Sequence, residues 1–291
     1  MAISINIIAG PDEGVSSVSA TGQEKHIITN GERTAFNIQD ASLKRAVAAY
    51  FGKAPNDAYL CSPTPWNDLY KSYGWDQVQT ILNVQSAKII GDATVPTILN
   101  TNTFRNNSSV EAEFNCDVTQ KVSVTSESNW SDTSSVEIGQ EISYSVGFLG
   151  TGVEGSTSLN YTQSWQHGGS HSETLELGSS AGVKVTLKPG QAVKAELSAS
   201  KGRLIVQVVY QVNLSGDTAI NYNPTYKGHH FYGFNILGVM NSGNLPTTIT
   251  TTETISIDYY SNVEVNIFDI ENGSVLETYK LDVKMPVCMK P

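Results

Sequence analysis

The feature that most limits what this chain can fold into is the stretch over residues 136–165, where apolar and polar residues alternate on two arms around a glycine-rich centre. On the first arm Val136, Ile138, Ile142, Tyr144, Val146 and Phe148 share one parity, broken only by Gln140, while Glu137, Gly139, Glu141, Ser143, Ser145 and Gly147 take the other. After Leu149-Gly150-Thr151-Gly152 the second arm resumes with Val153, Leu159, Tyr161 and Trp165 on one parity and Glu154, Ser156, Ser158, Asn160, Thr162 and Ser164 on the other. Successive strand side chains point to opposite faces, so each arm reads as an amphipathic strand. The glycines allow the tight reversal that makes the pair a hairpin. A turn at Leu149-Gly150-Thr151-Gly152 sets Phe148 opposite Val153, Ile142 opposite Leu159 and Val136 opposite Trp165, which brings both apolar rows to one face. A slip of one residue would set apolar against polar throughout.

Each arm carries its stripe farther than the ~9–11 residues a tilted strand needs to cross a bilayer. An alternating hairpin is equally the ordinary form of a sandwich strand pair with one wet face, and composition has to separate the two. From residue 122 to 183 there is no Lys or Arg, although Lys121 and Lys184 stand at either end and seven acids lie between. A cation on a lipid-facing strand costs roughly 2–4 kcal/mol at the bilayer midplane, so a segment bound for lipid excludes them and a sandwich strand has no such need. Ser and Thr supply 21 of those 62 residues, small hydroxyls that suit a protein groove before insertion and a wet lumen after it. At ~1.5–3 kcal/mol for each of the ten apolar side chains, transfer to lipid is worth roughly 15–30 kcal/mol per hairpin, less what packing in the soluble form already supplies. The lipid face is therefore assigned to the ten apolar residues, the tip to Leu149, Gly150, Thr151 and Gly152, and the lumen to Glu137, Glu141 and Glu154.

Charge and motif content exclude other classes. A net charge of −10 with only 18 Lys plus Arg argues against nucleic acid as a partner, since phosphate tracking needs clustered cations. No run of about 18 apolar residues occurs, so membrane entry would be by β-barrel. The amino terminus has alternating isoleucines without a basic region, and reads as a first strand of a soluble, released protein without a classical signal peptide. Cys61, Cys116 and Cys288 allow at most one bridge. Sequons at Asn106, Asn107, Asn129, Asn160, Asn213 and Asn272 follow from a hydroxyl-rich composition and are taken as unused. His167 and His171 lie in a Gly/Ser-rich segment without further ligands, and no phosphate loop, nucleophile elbow or paired acid/base spacing is present. No enzyme, metal or cofactor is expected.

Composition changes near Gly91, dividing a small α+β head at residues 1–92 from an elongated β region at 93–291. Residues 25–29 and 32–38 flank Asn30-Gly31 and predict a hairpin. Asp40 offers an N-cap for a helix carrying Leu43, Val47, Tyr50 and Phe51. Thr64-Pro65 offers the start of a second helix, with Trp66, Leu69, Tyr70 and Tyr73, ended by Gly74. The aromatics Trp66, Tyr70, Tyr73 and Trp75 have two readings, core packing at helical spacing or a platform for a receptor or sugar. Beyond residue 94, strands are expected at 183–187 and 192–197 around Lys188-Pro189-Gly190, at 204–214 buried on both faces, and at 247–259, 263–270 and 276–283.

The Asn106-Asn107-Ser108 strand start, the Ser/Thr-rich arms, the tip Phe148-Leu149-Gly150-Thr151-Gly152-Val153-Glu154-Gly155 and the Lys188-Pro189-Gly190 turn together resemble the aerolysin-type β-pore-forming proteins, in the branch of epsilon toxin and the mosquitocidal toxins. The resemblance spans roughly residues 93–285. Pro65-Trp66-Asn67-Asp68-Leu69-Tyr70, Gly74-Trp75-Asp76 and Lys227-Gly228-His229-His230-Phe231-Tyr232 also resemble the spherulins and follicular epithelium yolk proteins. The first resemblance implies a mainly β, elongated antiparallel sheet protein with a small head. It further implies a cytolytic or insecticidal protein that binds a glycan or protein receptor on a cell membrane, forms a homo-oligomer and releases one hairpin per protomer to build a barrel. The second implies a non-lytic storage, developmental or carbohydrate-binding protein of the same fold. If Glu137, Glu141 and Glu154 line a lumen, repeated carboxylates attract cations. Reversal potentials in a planar bilayer should then show cation preference, and anion preference would contradict this placement.

Overall fold

Alternating β-branched and aromatic residues dominate the later two thirds of the chain, and the computed structural model, which describes residues 2–10, 14–131, 141–148, 157–164, 169–179 and 182–281, is there built of long antiparallel strands. In chain order the elements are β1 (Ser4–Ala9), β2 (Ser17–Thr21), β3 (Gln23–Ile27), α1 (Asn30–Ala35), α2 (Asp40–Phe51), β4 (Asp57–Tyr59), α3 (Pro65–Tyr73), β5 (Gln79–Arg105), β6 (Ala112–Asn115), β7 (Val118–Ser131), β8 (Glu141–Phe148), β9 (Thr157–Ser164) and β10 (Gly169–Ser179). Then follow β11 (Lys184–Leu187), β12 (Ala192–Ser215), β13 (Asp217–Tyr226), β14 (His229–Asn235), α4 (Ile236–Ser242), β15 (Thr248–Asp269) and β16 (Val275–Lys280). The principal sheet runs β10-β7-β15-β12-β5-β3, with β16 paired to the far part of β15. A second sheet runs β2-β1-β8-β9, and the smaller pairs are β11-β6 and β14-β13-β4.

The spine of the molecule is β12, paired along its whole length with β5 and nearly so with β15. Its buried residues change parity. Near its start Val193, Ala195, Leu197 and Ala199 are buried; farther along they are Leu204, Val206, Val208, Tyr210, Val212 and Leu214. Alternate side chains face opposite ways, so the sheet is covered on one face at its lower end and on the other face at its upper end. The change coincides with a slip in the β12–β15 ladder, where Ser198 pairs with Glu264 but Ser200 with Ser261, and where Asn262 takes a φ of +49°. One extra residue in β15, a β-bulge, redirects the pleat.

Below the slip the cover is β6–β11 with the adjoining ends of β7 and β10, which contribute Cys116, Val118, Leu177, Val183, Val185 and Leu187. Asn100 and Asn102 donate from β5 to the carbonyls of Thr119 (2.8 Å) and Asp117 (3.3 Å), and Tyr279 donates from β16 to that of Lys184 (3.2 Å). Above the slip β1 buries Ile3, Ile5, Ile7 and Ala9, and Tyr259 on β15 donates to the Gly10 carbonyl at 3.0 Å. Only glycine fits at 202, where a Cβ would stand 2.3 Å from the Tyr259 ring.

Several sequence expectations are corrected. Residues 30–35 form a helix and not the second half of a hairpin: Thr29 and Glu32 make a reciprocal capping box, with the Glu32 carboxylate also accepting from Thr80 at 2.6 Å. That helix start satisfies more backbone groups than a two-residue turn at Asn30-Gly31 would. The cap of α2 is Gln39, with Asp40 its first residue. Residues 192–215 form one strand and 248–269 another, because bulges carry the ladders past places where the pattern breaks. The 204–214 stretch buries only its even residues, since one face of the upper sheet is covered. Strand β16 ends at Lys280. Asn106, read as a sequon, is 1% exposed and donates to the Val110 and Leu187 carbonyls, both at 2.8 Å, so it is a structural tie and inaccessible to glycosylation. Cys61 and Cys116 are free thiols.

Candidate functional site

The two arms of the alternating segment do pair antiparallel, as β8 and β9. Their register differs from the expected one by four residues: Ile142 lies opposite Gln163, Tyr144 opposite Tyr161, Val146 opposite Leu159 and Phe148 opposite Thr157. An even shift leaves parity intact, so apolar positions are still set opposite apolar ones in the ladder, Tyr144 with Tyr161 and Val146 with Leu159. Alternation separates odd slips from even ones and cannot choose among the even ones. Of the residues assigned to lipid, Val136, Ile138, Val153 and Trp165 lie outside the described residues, as do the tip Leu149, Gly150, Thr151 and Gly152 and the acids Glu137 and Glu154. Ile142, Tyr144, Phe148, Leu159, Tyr161 and the acidic Glu141 are placed by their ladder positions.

On its other edge β8 is held by β1, in a parallel ladder that sets Ile5 beside Tyr144, Asn6 beside Ser145 and Ile7 beside Val146. Val146 is fully buried, as are Ile5 and Ile7, and the Ser145 hydroxyl donates to the Asn6 side-chain carbonyl at 2.6 Å. Thus the hairpin is docked through one short strand from the opposite end of the chain. Among the described residues β9 pairs with β8 alone. Sequence reasoning found β1 as a strand and missed its partner, because a pairing 139 residues apart leaves no local pattern.

Strand β7, which leads into the hairpin, pairs with β15 over residues 125–131, and a buried acid adds a side-chain tie to the frame. Glu253 on β15 is 0% exposed, accepts from the Ser128 hydroxyl of β7 at 2.7 Å and from the Tyr210 hydroxyl of β12 at 2.5 Å. The Trp130 ring stacks on Tyr210 at 5.1 Å. Burial pushes the Glu253 carboxyl above the usual carboxylate range, outweighing the two hydroxyls that favour its charged form, and burial likewise pushes the Tyr210 hydroxyl well up. No Lys, Arg or His pairs with Glu253 among the described residues. The signal for it was present: an acid at the buried parity of β15, between Thr251 and Ile255.

In the head the four candidate aromatics divide. Tyr70 is 4% exposed, and its hydroxyl lies 2.9 Å from the Tyr59 carbonyl and 3.0 Å from that of Asp217, joining β4 to the start of β13. Trp66 and Tyr73 are 44% and 54% exposed. Tyr73 stacks on the half-buried Trp75 at 4.6 Å and 12°, and Trp66 sits 5.1 Å from Phe231. Trp75 is seated on Gly233, where a Cβ would come within 2.5 Å of its ring. Trp66, Asn67 and Asp68 have φ values of 62°, 59° and 60°, a left-handed turn where a right-handed first helical turn was expected. Such residues cost roughly 1–2 kcal/mol each. Here Thr64 accepts from the Leu69 amide at 2.7 Å, Ser62 donates to Asp68 at 2.9 Å and Ser72 donates to the Asn67 carbonyl at 3.0 Å, which hold the turn and present the Trp66 ring.

No protein-family model matches this chain. It is 35% identical over 254 residues to U-megalopygitoxin(8)-Mc8 of Megalopyge crispata, covering 87% of each chain. It is 36% identical over 265 residues to U-megalopygitoxin(8)-Mo15 of Megalopyge opercularis, covering 91% of this chain and 84% of the other. Among solved structures, the parasporin-2 toxin of Bacillus thuringiensis, which recognizes cancer cells, aligns over 89% of this chain and 100% of its own at a TM-score of 0.62 and 15% identity. That likeness is one of fold.

The Glu253 site predicts a specific pH dependence. A carboxyl whose folded value is raised binds its proton more tightly in the native state, so its contribution is full below the unfolded value of about 4.3 and is lost as pH rises through the raised value. Melting curves should therefore show Glu253→Gln gaining stability relative to the parent as pH goes from 5 to 9; a constant difference across that range would contradict the assignment.

Proposed function

Because the chain belongs to the U-megalopygitoxin(8) family and has the fold of the aerolysin-type β-pore-forming proteins, we propose that it is a pore-forming toxin that binds a cell surface by its head, oligomerises there and inserts the β8–β9 hairpin. The observation that carries this reading is the hairpin's attachment. Among the described residues a cation-free alternating ribbon, its arms paired antiparallel, meets the rest of the protein through a six-residue parallel ladder to β1. Release exchanges that ladder for pairing with neighbouring hairpins, so backbone groups stay satisfied in lipid. The apolar stripe supplies the drive and the hydroxyl-rich opposite stripe faces water.

Strands β7 and β10, paired from Val118 with Ser179 to Ser128 with Gly169, form the root from which the hairpin extends. Their grip on the frame passes through the ladder of β7 with β15, from Thr125 with Asp258 to Ser131 with Thr252, and through the hydrogen bond of Ser128 to Glu253. The head contributes recognition: Trp66, Tyr73 and Trp75 offer aromatic faces of the kind that stack on sugar rings or on a receptor's apolar residues, while Tyr70 holds them in place. The three consecutive left-handed residues beneath Trp66 support a binding role, since backbone strain persists where surrounding contacts enforce it.

Two variants test separate steps with calcein-loaded liposomes and insect midgut membrane vesicles. In a background with Cys61 and Cys288 replaced by Ser, the pair Asn6→Cys and Ser145→Cys is expected to form a disulfide that leaves membrane binding unchanged and abolishes dye release until a reductant is added. Full release from the oxidised protein would overturn hairpin insertion. Trp66→Ala is expected to lower binding to midgut vesicles at least tenfold with an unchanged melting temperature; unchanged binding would remove this ring from the recognition surface.

A further inference from the structure

We propose that copies of this chain join edge to edge through the lower end of the principal sheet, β5 of one against β16 of the next. At that end the sheet is four strands wide, β16-β15-β12-β5, with every neighbour antiparallel. An even number of antiparallel strands leaves the two outer strands running in opposite directions. Setting β5 of one copy beside β16 of another therefore continues the alternation without a parallel pair.

The two free edges also lie at the same height. Lys280 pairs with Glu264, Glu264 with Ser198 and Ser198 with Ile98; Val275 pairs with Phe268, Phe268 with Lys194 and Lys194 with Thr103. Residues 275–280 on one side thus stand level with 98–103 on the other, so a rotation about an axis parallel to the strands brings them together without a vertical offset. Such a head-to-tail contact, repeated, closes a ring when the rotation closes.

The chemistry of the β5 edge differs above and below Pro96. Among the described residues β5 has β12 along one side and β3 on the other only at Gln23–Ile27, opposite Gln79–Asn83. Above Pro96 the strand carries Lys88 and Asp92, the latter accepting from the Gly14 amide at 3.2 Å, and the ladder slips at Ile205/Val206 and Val209/Tyr210 of the partner strand, devices that discourage strand addition. A third slip, at Leu197/Ser198, leaves Leu99 as an extra residue, so the regular lower ladder runs from Asn100 to Arg105. Below Pro96, Ile98-Leu99-Asn100-Thr101-Asn102-Thr103-Phe104 has no charge, Pro or Gly, and Ile98 is 60% exposed. The Asn100 and Asn102 amides are tied to the carbonyls of Thr119 on β7 and of Asp117 just before it, which fixes the position of this edge. Opposite, β16 exposes Val275 and Leu276 at 54% and 43% and has β15 as its one strand partner among the described residues. A long uncharged edge left open is an aggregation hazard unless it has a dedicated partner, and the matched direction and height make that partner the chain's own opposite edge.

This seam rests on the proposal that copies assemble on membranes, and the experiment separates the two. In the Cys61→Ser, Cys288→Ser background, Thr101→Cys protein is mixed with each of Leu276→Cys, Glu277→Cys, Thr278→Cys and Lys280→Cys in turn, oxidised on midgut vesicles, and run on denaturing gels. Disulfide-linked dimers are expected from the mixtures and not from either variant alone, with yield alternating along β16. Thr103→Lys is expected to reduce both detergent-resistant oligomers and dye release at least tenfold with unchanged melting temperature and membrane binding. If oligomers and dye release persist while no mixture cross-links, the seam lies elsewhere and this proposal fails while the pore-forming reading stands. If the parent protein forms no oligomer on any membrane that it binds, both fail.

Discussion

Alternation along a strand gives a sheet two faces, and a chain of this length can cover only one of them at a time with its remaining elements. The one-residue slip between β12 and β15 at Ser198/Ser200 resolves that constraint by moving the covered face from one side to the other partway along the spine. Above the slip the cover is β1 together with Val146 of the hairpin; below it the cover is β6, β11 and the adjoining ends of β7 and β10. Without the slip both covers would compete for one face. With it, the segment that carries the amphipathic hairpin leaves the lower cover as β7 and returns to it as β10, and the hairpin itself docks in the upper layer.

Among the described residues the hairpin is attached through β1. One edge of β8 is, among those residues, laddered to β1, the Ser145 hydroxyl bonds the Asn6 side chain, and Ile5, Ile7 and Val146 pack together. A net hydrogen bond contributes about 1 kcal/mol, and a buried aliphatic side chain about 1.5–3 kcal/mol, so the docked state is held by terms that a membrane can match. The frame is held quite differently, by a spine strand paired on both sides over more than twenty residues. Glu253 stands between the two regimes: a buried acid without a cation among the described residues, which joins β15 to β12 and to the strand entering the hairpin.

How much of this was legible from the sequence can be judged residue by residue. The two arms were, because period-two alternation survives in composition, and so was their antiparallel pairing. The end of α3 at Gly74, in the left-handed region with φ of 68°, was also readable. Asn30-Gly31 misled because a hairpin signal and a capping box overlap there, and Glu32 found a buried partner in Thr80 that lies 48 residues away. Trp66 to Asp68 misled because helical spacing says nothing about a left-handed turn held by Ser62, Thr64 and Ser72. The Ile142 register failed for a third reason, since every even shift satisfies the same pattern.

By itself the sequence determined the alternation of the hairpin arms, the exclusion of cations from residues 122–183 and the mainly β, elongated character of the fold, since these depend only on which residues neighbour one another along the chain. Tertiary structure alone decided which even register β8 and β9 take, that β1 from the far end of the chain holds the hairpin, that Glu253 meets Ser128 and Tyr210, and which face of the spine is covered at each end. Each of those is a pairing between segments far apart in sequence. Backbone hydrogen bonds and burial choose among partners that local patterns leave equivalent, and that choice is made only when the strands meet in space.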